Sequence, residues 1–189
     1  NDIKHAVVIG ASMAGIKVVE VLHKYGIETW LLDLASYIFP LAAYKEVAKE
    51  IEKRVEAQGV HLMFGVTIDH MEQENGEKTA VLTDGSRIPA DIVGLCIGTR
   101  AITETVQGEV EIGRGIVVDD HMRTSVPGIY AAGDCCEGNN LESGQNQIIG
   151  LWANANHQGE TAGINMAGGD MAYKGNILHN ITHFMNMDF

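Results

Sequence analysis

The chain has 189 residues, 46% of them apolar, enough for one α/β domain and part of a second but not for a large multidomain enzyme. Its formal charge of −12 repels phosphate backbones and anionic headgroups, which argues against a nucleic-acid partner. No apolar run approaches the ~20 residues that span a bilayer, residues 1–5 lack a secretory-signal layout, and Cys96, Cys135 and Cys136 make no disulfide scaffold, so a soluble cytoplasmic protein with no membrane partner is expected.

In chain order, residues 5–10 (HAVVIG) form an apolar run of the kind found in a strand buried on both faces. Ile16, Val19 and Leu22 then recur at helical spacing, with Val18 and Val21 beside them, and Gly26 stands where a helix C-terminus closes. Residues 27–33 (IETWLLD) return as a second strand, completing a βαβ unit. Tyr44, Val47, Ile51 and Val55 trace a helical stripe, Glu50 and Arg54 pair at i,i+4, and Gly59 closes that helix. Residues 60–64 (VHLMF) read as a third strand. Asn75-Gly76 and Asp84-Gly85 are hairpin signals, so an antiparallel excursion is predicted over 66–88 before 90–98 (ADIVGLCIG) rejoins the main sheet. The first domain is expected to be 1–115. Beyond it, 116–118 and 129–132 read as short strands and 151–166 as a helix, whose Gly159 and Gly163 imply close packing.

The first strand-to-helix turn, Gly10-Ala11-Ser12-Met13-Ala14-Gly15, matches the dinucleotide fingerprint G-x-G-x-x-G at its first and third glycines. Ser12 occupies the position of closest approach, so either its hydroxyl bonds the pyrophosphate or the dinucleotide sits further out. The first turn of the helix, with Met13 and Ala14, offers N–H groups and a partial positive charge to the anion. Asp33 ends the second strand 18 residues after Gly15, near the ~20 expected of a ribose-binding acid. Such a carboxylate accepts bonds from ribose hydroxyls and repels a 2′-phosphate, so NAD(H) is favoured over NADP(H); a plain strand-end aspartate is the alternative.

These residues resemble the pyridine nucleotide-disulfide oxidoreductase superfamily over nearly the whole chain. Residues 7–33 look like the family's NAD-binding βαβ unit, 90–100 (ADIVGLCIGTR) like the segment leading to its GxRP turn, and 123–134 (RTSVPGIYAAGD) like its second flavin-binding motif. The resemblance implies a Rossmann-like three-layer NAD-binding domain with a β-meander excursion, followed over 116–189 by the C-terminal portion of a split FAD domain. It also implies that Gly133 and Asp134 meet the flavin, that residues 152–162 approach its ring system, that Gly98 and Thr99 border the dinucleotide, and that Val66 lies at the adenine. Two departures stand out. Lys17 replaces the glutamate often found near the nicotinamide, and is either a cofactor contact or a solvated helix lysine; Ala101 replaces a frequent proline.

The resemblance further implies a chain truncated at both ends relative to family members, with NAD(H) bound here and FAD in the full-length protein. The expected function is hydride passage from NADH to FAD and on to an unspecified acceptor, compatible with a homodimer. A dinucleotide-sensing binding protein resembling the apoptosis-inducing-factor branch is the alternative, and a stand-alone NAD-sensing domain a third. No catalytic side chain is expected, because the cofactors carry the chemistry. Cys135-Cys136 lacks the spacer of a reactive dithiol, His157 in the flavin-type helix is either a site residue or a helix-surface histidine, and no histidine spacing points to a metal.

Overall fold

Four strands lie side by side in parallel, and the first of them in the chain lies between the second and the last of the four. The computed structural model describes residues 3–40, 42–106, 108–177, 183–184 and 187–188. It contains β1 (His5–Ile9), α1 (Met13–Lys24), β2 (Glu28–Asp33), α2 (Lys45–Glu56), β3 (His61–Phe64), β4 (Ile68–Glu74), β5 (Glu77–Leu82), β6 (Arg87–Pro89) and β7 (Ile92–Leu95). These are followed by β8 (Gly138–Asn139), β9 (Asn146–Gln147), α3 (Trp152–Met166), β10 (His183–Phe184) and β11 (Met187–Asp188). The chain divides into two compact units, Asn1–Gly98 with Asn180–Phe189, and Thr99–His179.

In the first unit the parallel sheet runs β3-β2-β1-β7, with Val7 opposite both Trp30 and Val93. Apolar runs are needed because both faces are covered. Val8 and Leu31 pack with Ile16, Val19, Ala48, Ile51 and Val55 of the helices, and Val7 and Leu32 pack with Ala80, Leu82 and Ile88 of the antiparallel sheet β4-β5-β6. The result is three layers: helices, parallel sheet, meander. Asn75 and Gly76 both have positive φ, as a type I′ hairpin turn requires.

Helix α1 ends as the sequence predicts. Gly26 is left-handed, its amide bonds the His23 carbonyl, and the Ile27 amide bonds that of Leu22, the Schellman arrangement. In α2 the buried stripe is Ala48, Ile51 and Val55, while Tyr44 and Val47 face solvent, a correction to the expected stripe. The Glu50–Arg54 pair forms at 3.3 Å.

In the second unit, the strands expected at 116–118 and 129–132 occur only as single bridges. Their backbone groups pair with several different segments instead of one partner strand: the Ile116 amide bonds the Cys135 carbonyl, the Val117 amide that of Glu111 and the Ala131 amide that of Met122. The division at Gly98 also differs from the expected boundary at 115, because Val110 and the partly buried Val106 and Ile112 pack with Ile116, Ala131 and Cys136. Helix α3 buries Asn154, Gln158, Thr161 and Asn165 along one face. Among the described residues nothing stands within 4 Å of where a Cβ on Gly159 or Gly163 would lie, contrary to the close packing expected. Among the described residues no helix is long and apolar enough to cross a membrane.

Candidate functional site

The turn between β1 and α1 is tight because three backbones converge there. Gly10 has φ +106°, and a Cβ on it would fall inside the Cys96 carbonyl at the end of β7. A Cβ on Gly15 would likewise fall inside the Gly10 carbonyl, so a side chain there requires α1 to move. The turn is tied to its neighbours by the Gly10 amide on the Leu32 carbonyl (2.7 Å) and the Phe39 amide on the Ala11 carbonyl (2.9 Å).

Ser12 is the N-cap of α1: its extended backbone admits the chain, and its hydroxyl accepts from the Gly15 amide at 3.5 Å. The same hydroxyl donates to the Cys96 carbonyl at 3.4 Å. The serine at the second fingerprint position therefore serves the helix. The amides of Met13 and Ala14 have no acceptor within the helix, so they and the helix dipole remain for an anion.

Asp33, half-buried at the end of β2, turns its carboxylate to this turn. Oδ2 accepts from the Ala11 amide at 2.7 Å and Oδ1 from the Ala35 amide at 2.8 Å. Each carboxylate oxygen has a further lone pair. Turn, helix end and carboxylate together form a cradle whose donor and acceptor sets suit a diphosphate beside a sugar diol. The signal for the clamp on Ala11 was not in the spacing; it depends on β1 and β2 being adjacent and in register.

The other expected positions divide. Lys17 carries its ammonium to Glu20 (3.0 Å) and to the His183 carbonyl. Val66 donates its amide to the Asp33 carbonyl (3.2 Å), and the residue is buried, packing in the core on the meander side. Gly98, with φ +102°, ends the first unit, and Thr99 opens the second.

In the second unit, Gly133 is left-handed (φ +82°) and Asp134 is exposed, with no hydrogen bond or ion pair on its carboxylate among the described residues. A free carboxylate following a left-handed glycine suits a polyhydroxyl chain. Cys136 is buried, and burial above all pushes its thiol up to about 12, so it is a poor nucleophile. His157 is exposed. Asp119, Asp120 and His121 bring potential ligand atoms within 4.8 Å of one another, which the spacing did not suggest. These groups are already engaged: Asp119 accepts from the His121 and Arg123 amides, and His121 lies between Asp120 (2.6 Å) and Asp170 (2.9 Å).

The family model described as pyridine nucleotide-disulphide oxidoreductase matches residues 1–159. The NADH oxidase of Enterococcus faecalis is 32% identical over 178 residues, covering 93% of this chain and 40% of its own. A NAD-dependent persulfide reductase from A. fulgidus superposes with a TM-score of 0.90 at 30% identity, over 97% of this chain and 34% of that one. The water-forming NADH oxidase from Lactobacillus brevis, bound to NADH, gives 0.91 at 28% identity, over 97% and 41%. An engineered form of that oxidase bound to NADPH gives 0.91 at 26%, with the same coverage. The chain thus spans about two fifths of the length of these proteins or less.

Proposed function

This chain belongs to the pyridine nucleotide-disulphide oxidoreductase family, and from that premise we propose that it is the NAD(H)-binding part, joined to the C-terminal part of the flavin-binding domain, of an FAD-dependent NADH oxidoreductase. When bound, the nicotinamide supplies a hydride and the flavin accepts it. The chain's own residues bind and orient. The amides of Met13 and Ala14 meet the diphosphate, Asp33 meets the adenosine ribose, and Gly133 and Asp134 meet the flavin's ribityl chain.

The observation that carries this reading is the Asp33 carboxylate held against the phosphate turn by the Ala11 amide. It supports NADH over NADPH, because a 2′-phosphate would meet that fixed negative charge. The engineered NADPH-bound neighbour lends weight: its five substitutions include a glycine to alanine, an aspartate to alanine and a proline to arginine, at the intervals that separate Gly15, Asp33 and Pro40 here. The oxidase and reductase names of the relatives support turnover rather than a purely dinucleotide-sensing role.

Titration of the protein with each cofactor, followed by nicotinamide fluorescence, tests the assignment. NADH is expected to bind at least about tenfold more tightly than NADPH, one charge-assisted bond being worth ~1.5–3 kcal/mol. Asp33→Asn should lower NADH affinity and narrow the gap. Equal affinities in the unsubstituted protein would remove Asp33 from the site.

A further inference from the structure

Gln158 has no solvent exposure, yet it is a polar residue in the middle of α3. Its carboxamide oxygen accepts from the Gly133 amide at 2.9 Å and from the Cys136 thiol at 3.6 Å, and its NH2 group donates to the Glu137 carbonyl at 3.3 Å. Oxygen faces two donors and nitrogen faces an acceptor, so the carboxamide has one orientation only. The chain from Gly133 to Gly138 folds around it. The Cys136 amide closes back on the Gly133 carbonyl at 3.1 Å, and a Cβ on Gly138 would come within 2.6 Å of the Gln158 nitrogen. Glycine at 138 is thus what lets the backbone reach the amide.

The other buried amides of α3 hold different segments. Asn154 donates to the Ile149 carbonyl and accepts from the Tyr173 hydroxyl, while Asn165 donates to the His121 and Met171 carbonyls. Gln158 is the residue of this face that holds the turn carrying Asp134, whose carboxylate is exposed and uncommitted among the described residues.

We propose that Gln158 is a positioning residue for the flavin: by clamping Gly133 and Glu137 it sets the direction in which the Asp134 carboxylate meets the ribityl hydroxyls. This rests on the reading of Gly133 and Asp134 as flavin contacts. Glutamate at 158 would keep an acceptor for the Gly133 amide, but when ionised it has no donor for the Glu137 carbonyl; protonated, it regains one. The defect of Gln158→Glu is therefore reversible by acid.

The test uses the full-length flavoprotein stripped of flavin and titrated with FAD, with visible circular dichroism of the bound flavin, NADH affinity and apoprotein unfolding measured in parallel. Gln158→Leu should weaken FAD binding by about tenfold or more and alter the visible dichroism, with NADH affinity within about twofold of the parent; Gln158→Glu should do the same once the pH is high enough to ionise its buried carboxyl, whose titration burial moves upward. Gln158→Glu should regain FAD affinity as pH falls, relative to the parent at each pH. If Gln158→Leu does not fold, Gln158→Glu alone decides. Parental FAD affinity and dichroism in folded Gln158→Leu, or in Gln158→Glu at every pH up to the limit of its folded range, would overturn the proposal, provided Asp134→Asn loses FAD. If Asp134→Asn also binds FAD as the parent does, the flavin reading itself fails.

Discussion

On the proposed reading Asp33 joins two roles in one carboxylate, since the oxygens assigned to the ribose already hold the Ala11 and Ala35 amides. A substitution there disturbs the turn as well as the sugar contact, which is why its effect belongs in a binding comparison rather than in activity alone. Ser12 and Gly10 are the complementary cases. Ser12→Ala removes the cap of α1 and should lower stability by ~1 kcal/mol in chemical unfolding. Gly10→Ala places a Cβ against the Cys96 carbonyl in a left-handed conformation and should cost more, ~2 kcal/mol or above. At His121 the hydrogen bond to Asp120, and then that to Asp170, raise the imidazole above its usual range. A raised folded-state value means that the stabilisation is complete below about pH 6.5 and disappears as pH rises through the folded value. Stability should therefore decline over that interval, and His121→Asn should flatten the slope.

At the scale of elements, the patterns that sequence exposes best are those with local causes. β1 is a nearly continuous apolar run because it is covered on both faces, and α1 announces its end through Gly26. The meander is marked by Asn75-Gly76, where two successive positive φ angles exclude most residues. The misread parts have non-local causes. In α2 the packing residue is small Ala48, while the larger Val47 faces solvent. In α3 the spacing of Asn154, Gln158, Thr161 and Asn165 is that of a helix face, but polarity suggests solvent. The face is buried because its partners are loop backbones, and a sequence does not display the orphan carbonyls that an amide will satisfy. The segments 116–118 and 129–132 have strand composition, yet their hydrogen bonds are divided among several segments and leave only isolated bridges.

Across the whole molecule, the fingerprint Gly10 to Gly15 and the acid Asp33 were legible from spacing, but the bond between them was not. It arises when β1 and β2 pair in parallel with Ile9 beside Leu32. The division at Gly98 was hidden for a similar reason: Val106, Val110 and Ile112 belong with the second unit through packing on Ile116 and Ala131, with no break in composition to mark it. Gly133 and Asp134 were singled out by resemblance alone, and the bonds of Gln158 to the turn that carries them are visible only in the fold. The central claim remains the cradle formed by one helix end and one carboxylate. It is tested most directly by following backbone amide resonances during titration with NADH. Large shifts are predicted at Ala11, Met13, Ala14 and Asp33, saturating together; saturable NADH binding that leaves those amides unmoved would contradict the account.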